Sequence, residues 1–417
     1  MLAGLAVGIG AGAAARWLLG EESQGLARFI EYVAQPVGQI FLRLLFMLVI
    51  PLVFSALVLG IAGLGDLRSL GRIGAKTFVY TLAVSSIAVF LGIFLVNVLQ
   101  PGRGLPPETQ ARLLEGAAAR ASSIAPSPGQ RSGMDLILQL VPTNPIRAAA
   151  DGDILAVMFF ALMFGIGLCL VRTDASRHLE RGIEGLYDVT MRLIQMVIRL
   201  APFGVAALLF TLTAQLGYDV LVLLGRYVGV VVLALAIHQF VVYSLAVKLL
   251  GGMSPLTFFR GIQDAMLVAF STASSNATLP TALDVAQRGL KLPPHVSRFV
   301  LTIGATANQN GTALFEGVTV LFLAQFYGVA LTLGQQATVV LICIMGGIGT
   351  AGVPAGSIPI LAMILGLVGI PVEGIGLILG ADRFLDMCRT TLNVTGDLAA
   401  AVVVSRGEGD VSRPPLP

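Results

Sequence analysis

The sequence predicts an all-α polytopic membrane protein with eight transmembrane helices and two re-entrant helical hairpins. Three observations carry that prediction. Of 417 residues, 56% are apolar and only 12% are Asp, Glu, Lys or Arg, and mean hydropathy is +0.88. An ordinary soluble domain carries about 25% charged residues, so an exterior this poor in ions must face lipid over much of its area. Apolar runs of about 20 residues, the length that crosses a bilayer, recur along the chain. Two later apolar runs are interrupted at mid-length by Ser- or Gly-rich tips. The same composition weighs against nucleic-acid binding, secretion and a soluble active site, and a net charge of +3 is too small to suggest a polyanionic partner.

The spans follow in order. Segments 2–20, 37–64, 75–100, 152–171, 195–215 and 219–250 are apolar and long enough to cross. The apolar N-terminus reads as a first span rather than a cleavable signal. Between 101 and 150 lies a loop punctuated by Pro101, Pro106, Pro107, Pro126 and Pro128. Segment 173–200 alternates apolar and charged residues at helical spacing, the pattern of an interfacial helix leading into the next span. Basic residues cluster at Arg68, Arg72 and Lys76, at Arg172, Arg177 and Arg181, at Lys248 and Arg260, and at Arg288, Lys291 and Arg298. With those clusters on the cytoplasmic side, both termini lie inside the cell. The stretch 406–417 reads as a short polar tail.

After residue 255 the pattern changes. An apolar stretch at 264–271 is too short to span; it meets STASSNAT (271–278), and Leu279 with Pro280 restart a second short helix. Segment 336–348 likewise breaks at GTAGVPAGS (349–357) and resumes at 358–370. Long spans follow each hairpin, at 295–327 and 372–405. A broken helix exposes backbone N–H and C=O groups that lipid cannot satisfy but a cavity can, and paired interruptions of this kind point to a transporter binding site. The other reading, that Gly and Ser serve only close helix packing, suits one break better than two.

The last helix carries Asp382, Asp386, Arg389, Asn393 and Asp397. At about 100° per residue all five fall within about 80° of arc and climb roughly 22 Å, one polar stripe through most of the membrane. Charge at that depth marks a substrate or ion path; the alternative is a buried ion-pair ladder joining helices. Three acids to one guanidinium leave carboxylate in excess, which invites a cation. The planar fork of Arg389 suits a carboxylate, and Asp386 on the same face suits an ammonium group. In the preceding long helix, Asn308, Gln309, Asn310 and Gly311 interrupt an apolar run and predict local unwinding. Glu316 stands in that span without a basic neighbour nearby in sequence; a carboxyl so buried is costly to keep charged, so it can carry a proton, or remain neutral for structural reasons. Cys169, Cys343 and Cys388 show no CxxC spacing, and His178, His238 and His295 no metal-ligand spacing. No cofactor is expected beyond a coupling cation, H+ or Na+.

The segments SSNATLP (274–280), NQNGTALFEG (308–317), GTAGVP (349–354) and DRFLDMCRTTLNVTGD (382–397) resemble the signatures of the dicarboxylate/amino acid:cation symporters, the family of the excitatory amino acid transporters and the archaeal aspartate transporters. The likeness runs from the first span to about residue 405. It implies an elevator-type glutamate transporter fold, a homotrimer in the cell (inner) membrane, and uptake of L-aspartate or L-glutamate with no nucleic-acid partner. By the same resemblance, a scaffold comprises spans 1–2 (1–73) and spans 4–5 with the preceding loop (101–218). A transport domain comprises span 3 (74–100) and 219–405: span 6, hairpin 1 (about 255–290), span 7 (about 295–327), hairpin 2 (about 334–370) and span 8 (about 372–405).

Carried over residue by residue, Asp386 matches the ligand of the substrate's amino group and Arg389 the ligand of its side-chain carboxylate. Thr312, Thr390 and Asn393 match further polar contacts. Ser274 and Ser275 match the first hairpin tip; Val353, with Gly356 or Ser357, matches the second. Glu316 matches the proton-carrying glutamate of the excitatory transporters. Gly304, Asn308, Asn393 and Asp397 resemble a residual sodium site. The family's usual Asn-Met-Asp-Gly-Thr reads Asn308-Gln309-Asn310-Gly311-Thr312 here, which removes a carboxylate ligand from another sodium site, and Val84 stands in place of a hydroxyl ligand beside Ser85. Arginines that members place at the position of Ala273 or Met387 are also missing; Arg383 lies one turn from Met387. The expectation is proton-coupled uptake of acidic amino acids with weak or absent sodium dependence. Alternatives are a sodium-coupled aspartate/glutamate symporter, then a C4-dicarboxylate symporter. An ion channel or an intramembrane enzyme fits less well, since a channel needs no zwitterion clamp and no nucleophile–base pair is evident.

Overall fold

A computed structural model describes residues 2–20, 23–62, 71–106, 108–111, 141–151, 154–171, 173–217, 219–349 and 357–408. Among these residues the regular structure is entirely helical. Most of the 101–150 loop, residues 409–417 of the tail, and Val353 and Gly356 of the second hairpin tip lie outside them.

Helix α1, Leu2–Leu19, owes its position to glycine. Gly4, Gly8 and Gly12 recur every fourth residue and face Pro202, Ala206 and Phe210 of helix Asp174–Leu216 so closely that a Cβ at any of them would strike that backbone. This is the small-residue packing that lets membrane helices approach. Next come α2 (Gln24–Phe29), joined through a π turn at Ile30–Ala34 to α3 (Gln35–Phe46), then α4 (Val49–Ala62) and α5 (Gly71–Leu99). The segment expected to begin a span at residue 37 is therefore preceded by a further helical stretch from Gln24, whose start is capped by the Ser23 hydroxyl. Short α6 (Pro145–Ala150) leads to α7 (Ile154–Leu170). The interfacial helix and fifth span expected separately over 173–200 and 195–215 form one 43-residue helix, α8 (Asp174–Leu216), opened by a Thr173–Ser176 capping box. It bends by 50° between Val197 and Arg199. Pro202 explains the bend: it removes the hydrogen bond to the carbonyl four residues back, at Ile198, and crowds it.

Helix α9 (Asp219–Ile237) continues to Leu250 through π turns at His238–Val242 and Ala246–Leu250. By length and composition, Arg72–Leu99 and Val220–Leu250 can each cross a membrane, and the bent pair 174–215 is a third candidate. The first hairpin follows: α10 (Pro255–Gly261), α11 (Gln263–Thr272) and α12 (Ser275–Asp284). Its tip is Ala273, at φ +51°, and Ser274, whose hydroxyl accepts from the Ala277 N–H. The second arm thus begins at Ser275, not at Leu279–Pro280 as the proline suggested. The serine cap outranks the proline, which sits inside the helix, exposed.

The span expected over 295–327 is broken into α13 (Pro294–Ala307) and α14 (Asn310–Tyr327). Only Asn308 and Gln309 leave helical geometry, with ψ near +60° at both; Asn310 and Gly311, expected to unwind, open α14 instead. Both arms of the second hairpin are present, α15 (Leu333–Gly349) and α16 (Ile358–Leu367), and α17 (Ile375–Ser405) closes the fold. Helices α14 and α17 form the centre, buried along almost their whole length. Helix α5 packs along α14, hairpin arm α11 along α17, and α15 against α14, while α1, α3 and α4 gather around α8 and α7.

Candidate functional site

The stripe on α17 is buried as its spacing demands: Asp382, Asp386, Arg389, Asn393 and Asp397 are each exposed by 4% or less. Arg389 is held from three sides. Its Nε donates to Asp386 Oδ1 at 2.9 Å and its Nη1 to Asp382 Oδ1 at 3.2 Å. Its guanidinium carbon stands 4.4 Å from the centre of the Phe315 ring on α14. Two carboxylates on one guanidinium leave the triad with a surplus negative charge, so the site suits a ligand that brings an ammonium as well as a carboxylate. Thr390 and Thr312 are buried nearby in sequence, on α17 and α14.

The break between α13 and α14 is stabilised by side-chain amides. Asn393 accepts from the Gly311 N–H at 2.7 Å and donates to Gln309 Oε1 and, at 3.3 Å, to the Thr312 hydroxyl. Gln309 Nε2 donates to the Ala305 carbonyl, and its backbone N–H to the Gly347 carbonyl of the second hairpin. These bonds satisfy groups that a broken helix would otherwise strand in lipid. Gly311 is required there, since a Cβ would lie 2.6 Å from the Arg389 carbonyl. Asn310 is also fully engaged: Ser85 on α5 donates to its Oδ1, and its Nδ2 donates to Tyr243 Oη at 3.1 Å. The position where the related motif carries a carboxylate therefore holds a neutral, satisfied hydrogen-bond network.

Of the four residues expected to form a residual cation site, three come together. Asp397 Oδ1 lies against Gly304, close enough to exclude any Cβ, and accepts from Asn308 Nδ2 at 2.8 Å. Asn308 Oδ1 is buried without a hydrogen-bond partner. An orphaned amide oxygen beside a carboxylate is chemistry that fits a hard cation. The side chain of Asn393 is committed to the break instead. Glu316 is fully buried on α14, neither carboxyl oxygen has a hydrogen-bond partner, and its Oε2 abuts Gly346 of the second hairpin. Ser275 and Ser357, at the two hairpins, likewise bury hydroxyls without partners, whereas Ser274 serves as a helix cap. The placements of Val353 and Gly356 fall outside the described residues. Sequence reasoning passed over Phe315, Tyr243, and the Tyr227 hydroxyl, 2.9 Å from that of Thr319; as isolated aromatics in apolar runs they carried no signal of their own.

Buried charge in a broken-helix bundle defines a membrane transport protein rather than an enzyme, and comparison with known proteins agrees. Residues 1–407 match the sodium:dicarboxylate symporter family. The chain is 35% identical over 378 residues to the proton/sodium-glutamate symport protein of Bacillus subtilis (strain 168), covering 90% of this chain and 86% of that one. It is 36% identical to the proton/glutamate-aspartate symporter of Escherichia coli (strain K12), covering 91% and 86%. It is 33% identical to the C4-dicarboxylate transport protein of Rhodospirillum rubrum, covering 91% and 83%. The chain belongs to the sodium:dicarboxylate symporter family.

Proposed function

We propose that the protein is a proton-coupled symporter taking up aspartate or glutamate across the bacterial cell membrane. The observation that carries the reading is the pairing of a neutral Ser85–Asn310–Tyr243 network with an unpartnered, buried Glu316. Hydrogen bonds among uncharged groups neither attract nor require a sodium ion, so the site at Asn310 is silent toward sodium. Neither Glu316 oxygen has a hydrogen-bond partner, and with a substrate carboxylate occupying Arg389 a charged Glu316 would add a buried negative charge, so the loaded unit crosses with Glu316 protonated. That proton is taken up outside, enters with the substrate and is released inside, and the empty unit returns without it, so the cycle draws on the pH gradient. The surplus carboxylate around Arg389 favours an amino acid over a plain dicarboxylate.

The reading includes an elevator. Helices α5 and α9, the two hairpins and α13 to α17 slide as one unit with the cargo, against a scaffold of α1 to α4, α7 and α8 that holds a homotrimer with both termini in the cytoplasm. The eight-span topology and this partition gain support from the way α14 and α17 gather α5 and both hairpins around themselves, while α1 lies along α8. Residual sodium use has one observation in its favour, the orphaned Asn308 oxygen beside Asp397. Uptake of labelled aspartate into proteoliposomes under separate sodium and pH gradients decides between them. An inward proton gradient should drive accumulation without sodium; accumulation that follows sodium and ignores pH would overturn the proton reading.

A further inference from the structure

Asp382 is given no direct contact with the substrate in the binding scheme above, yet it is only 2% exposed and spends its carboxylate on Arg389. Neutralising the guanidinium does not require it, because Asp386 already supplies a counter-charge at 2.9 Å. A second carboxylate adds an uncompensated charge in a dry interior, which is costly. Its geometry gives the reason. Asp386 holds the Nε edge, Asp382 holds Nη1 from two helical turns away, and Phe315 lies against the face. Together they fix the plane and the roll of the fork. Of five N–H donors, two are bound to these carboxylates and three are left to meet a ligand. When a ligand's ammonium draws on Asp386, Asp382 is the tether that stays.

We propose that Asp382 is a positioning residue, holding Arg389 in the orientation that recognises the side-chain carboxylate of the substrate. This rests on the reading of Arg389 as the carboxylate ligand and extends it to the residue that aims it. A bare counter-ion and a positioning acceptor differ in what Asn can do. Asp382→Asn loses the charge but keeps an oxygen at the same distance; Asp382→Ala loses both.

The test is uptake kinetics in proteoliposomes, using whichever labelled dicarboxylic substrate the wild-type protein accumulates among aspartate, glutamate and succinate. Asparagine, which lacks the side-chain carboxylate, serves as competitor. Asp382→Ala should raise KM about tenfold or more, as expected for loss of a charge-assisted hydrogen bond, with kcat per folded protein changed far less. Asp382→Asn should recover most of that loss, and inhibition by asparagine should change alike in both variants and by much less than the KM of Asp382→Ala, because asparagine feels the lost surplus charge but not the aim of the fork. An unchanged KM in Asp382→Ala, an Asn variant as impaired as Ala, or a parallel loss toward asparagine would each overturn the proposal. If Asp382→Ala yields no folded protein, Asp382→Gln, which displaces the acceptor by one methylene, takes its place, and a wild-type KM there is equally fatal. A wild-type protein that accumulates none of the three substrates refutes the parent reading instead, and the two failures are told apart by that control.

Discussion

At the scale of single residues the decisive contrast lies between two positions on α14. Asn310 has both side-chain polar atoms engaged, by Ser85 and Tyr243. Glu316, less than two turns further on, has both carboxyl oxygens buried and unpartnered. A buried carboxylate whose oxygens lack hydrogen-bond partners is costly, which is why the proposed cycle has pH enter at position 316. Glu316→Gln keeps the volume and the polarity of the neutral acid and removes only the exchangeable proton. The variant should still exchange internal for external aspartate, while net uptake driven by a pH gradient falls about tenfold or more and loses its pH dependence. Paired exchange and net-flux assays in proteoliposomes read the two separately. Net uptake with an unaltered pH profile would leave Glu316 a structural group.

At the scale of helices the close approaches are set by glycine, and they separate positions that look alike in sequence. Gly8 and Gly10 both lie in α1, but a Cβ at Gly8 would stand 2.5 Å from the Ala206 carbonyl oxygen of α8, whereas one at Gly10 meets nothing within 4 Å. Gly8→Ala should therefore cost about 1–3 kcal/mol through overpacking, and Gly10→Ala should be neutral or stabilise by up to about 1 kcal/mol through helix propensity. Denaturation in detergent micelles measures both, and equal effects would contradict the α1–α8 packing. Such differences mark the limit of what was legible beforehand. The polar stripe of α17 was readable because charge at a helical period in an apolar span has few innocent explanations, and the structure buries all five members. The hairpins were readable as interrupted apolar runs, but the restart of the first was misplaced at Pro280. Local proline statistics favoured it, while the Ser274 hydroxyl on the Ala277 N–H decided it. The unwinding was placed over four residues and occupies two, because the Asn393 amide reaches across from α17 to accept the Gly311 N–H and to donate to Gln309 in the break. Those bonds join residues more than eighty positions apart, a relation no local pattern encodes.

At the scale of the whole molecule, the described end of the chain ties together three helices that the proposed elevator moves as one. Arg406, just past α17, donates to the carbonyls of Leu249 and Leu250 at the end of the α9 span, both at 3.0 Å. Glu408 pairs with Arg72 at 2.6 Å and Lys76 at 2.8 Å in the first turns of α5. One short segment thus bridges α17, α9 and α5 outside the apolar interior, through a carboxylate whose own side chain is 7% exposed but whose basic partners reach water. The two basic partners hold the Glu408 carboxyl down to about 2 from its ordinary 4.5. A group depressed in this way lends stability that is fully present above the ordinary value and is lost as pH falls toward 2. Between pH 5 and 8 the Glu408 carboxylate stays charged, so its titration cannot contribute to any pH dependence of transport in that range. Its partners are exposed, Arg72 by 71% and Lys76 by 39%, so it must respond to ionic strength instead. Glu408→Gln should lower the thermal midpoint of the purified protein at low salt, and the gap to wild type should close as salt rises toward about 1 M, where the screening length falls to about 3 Å. The same variant should keep the wild-type pH profile of aspartate uptake, in contrast to Glu316→Gln. A pH profile that shifts with Glu408 would move the site of proton sensing from the buried centre of α14 to the end of α17, and the proton-carrier assignment of Glu316 would fall with it.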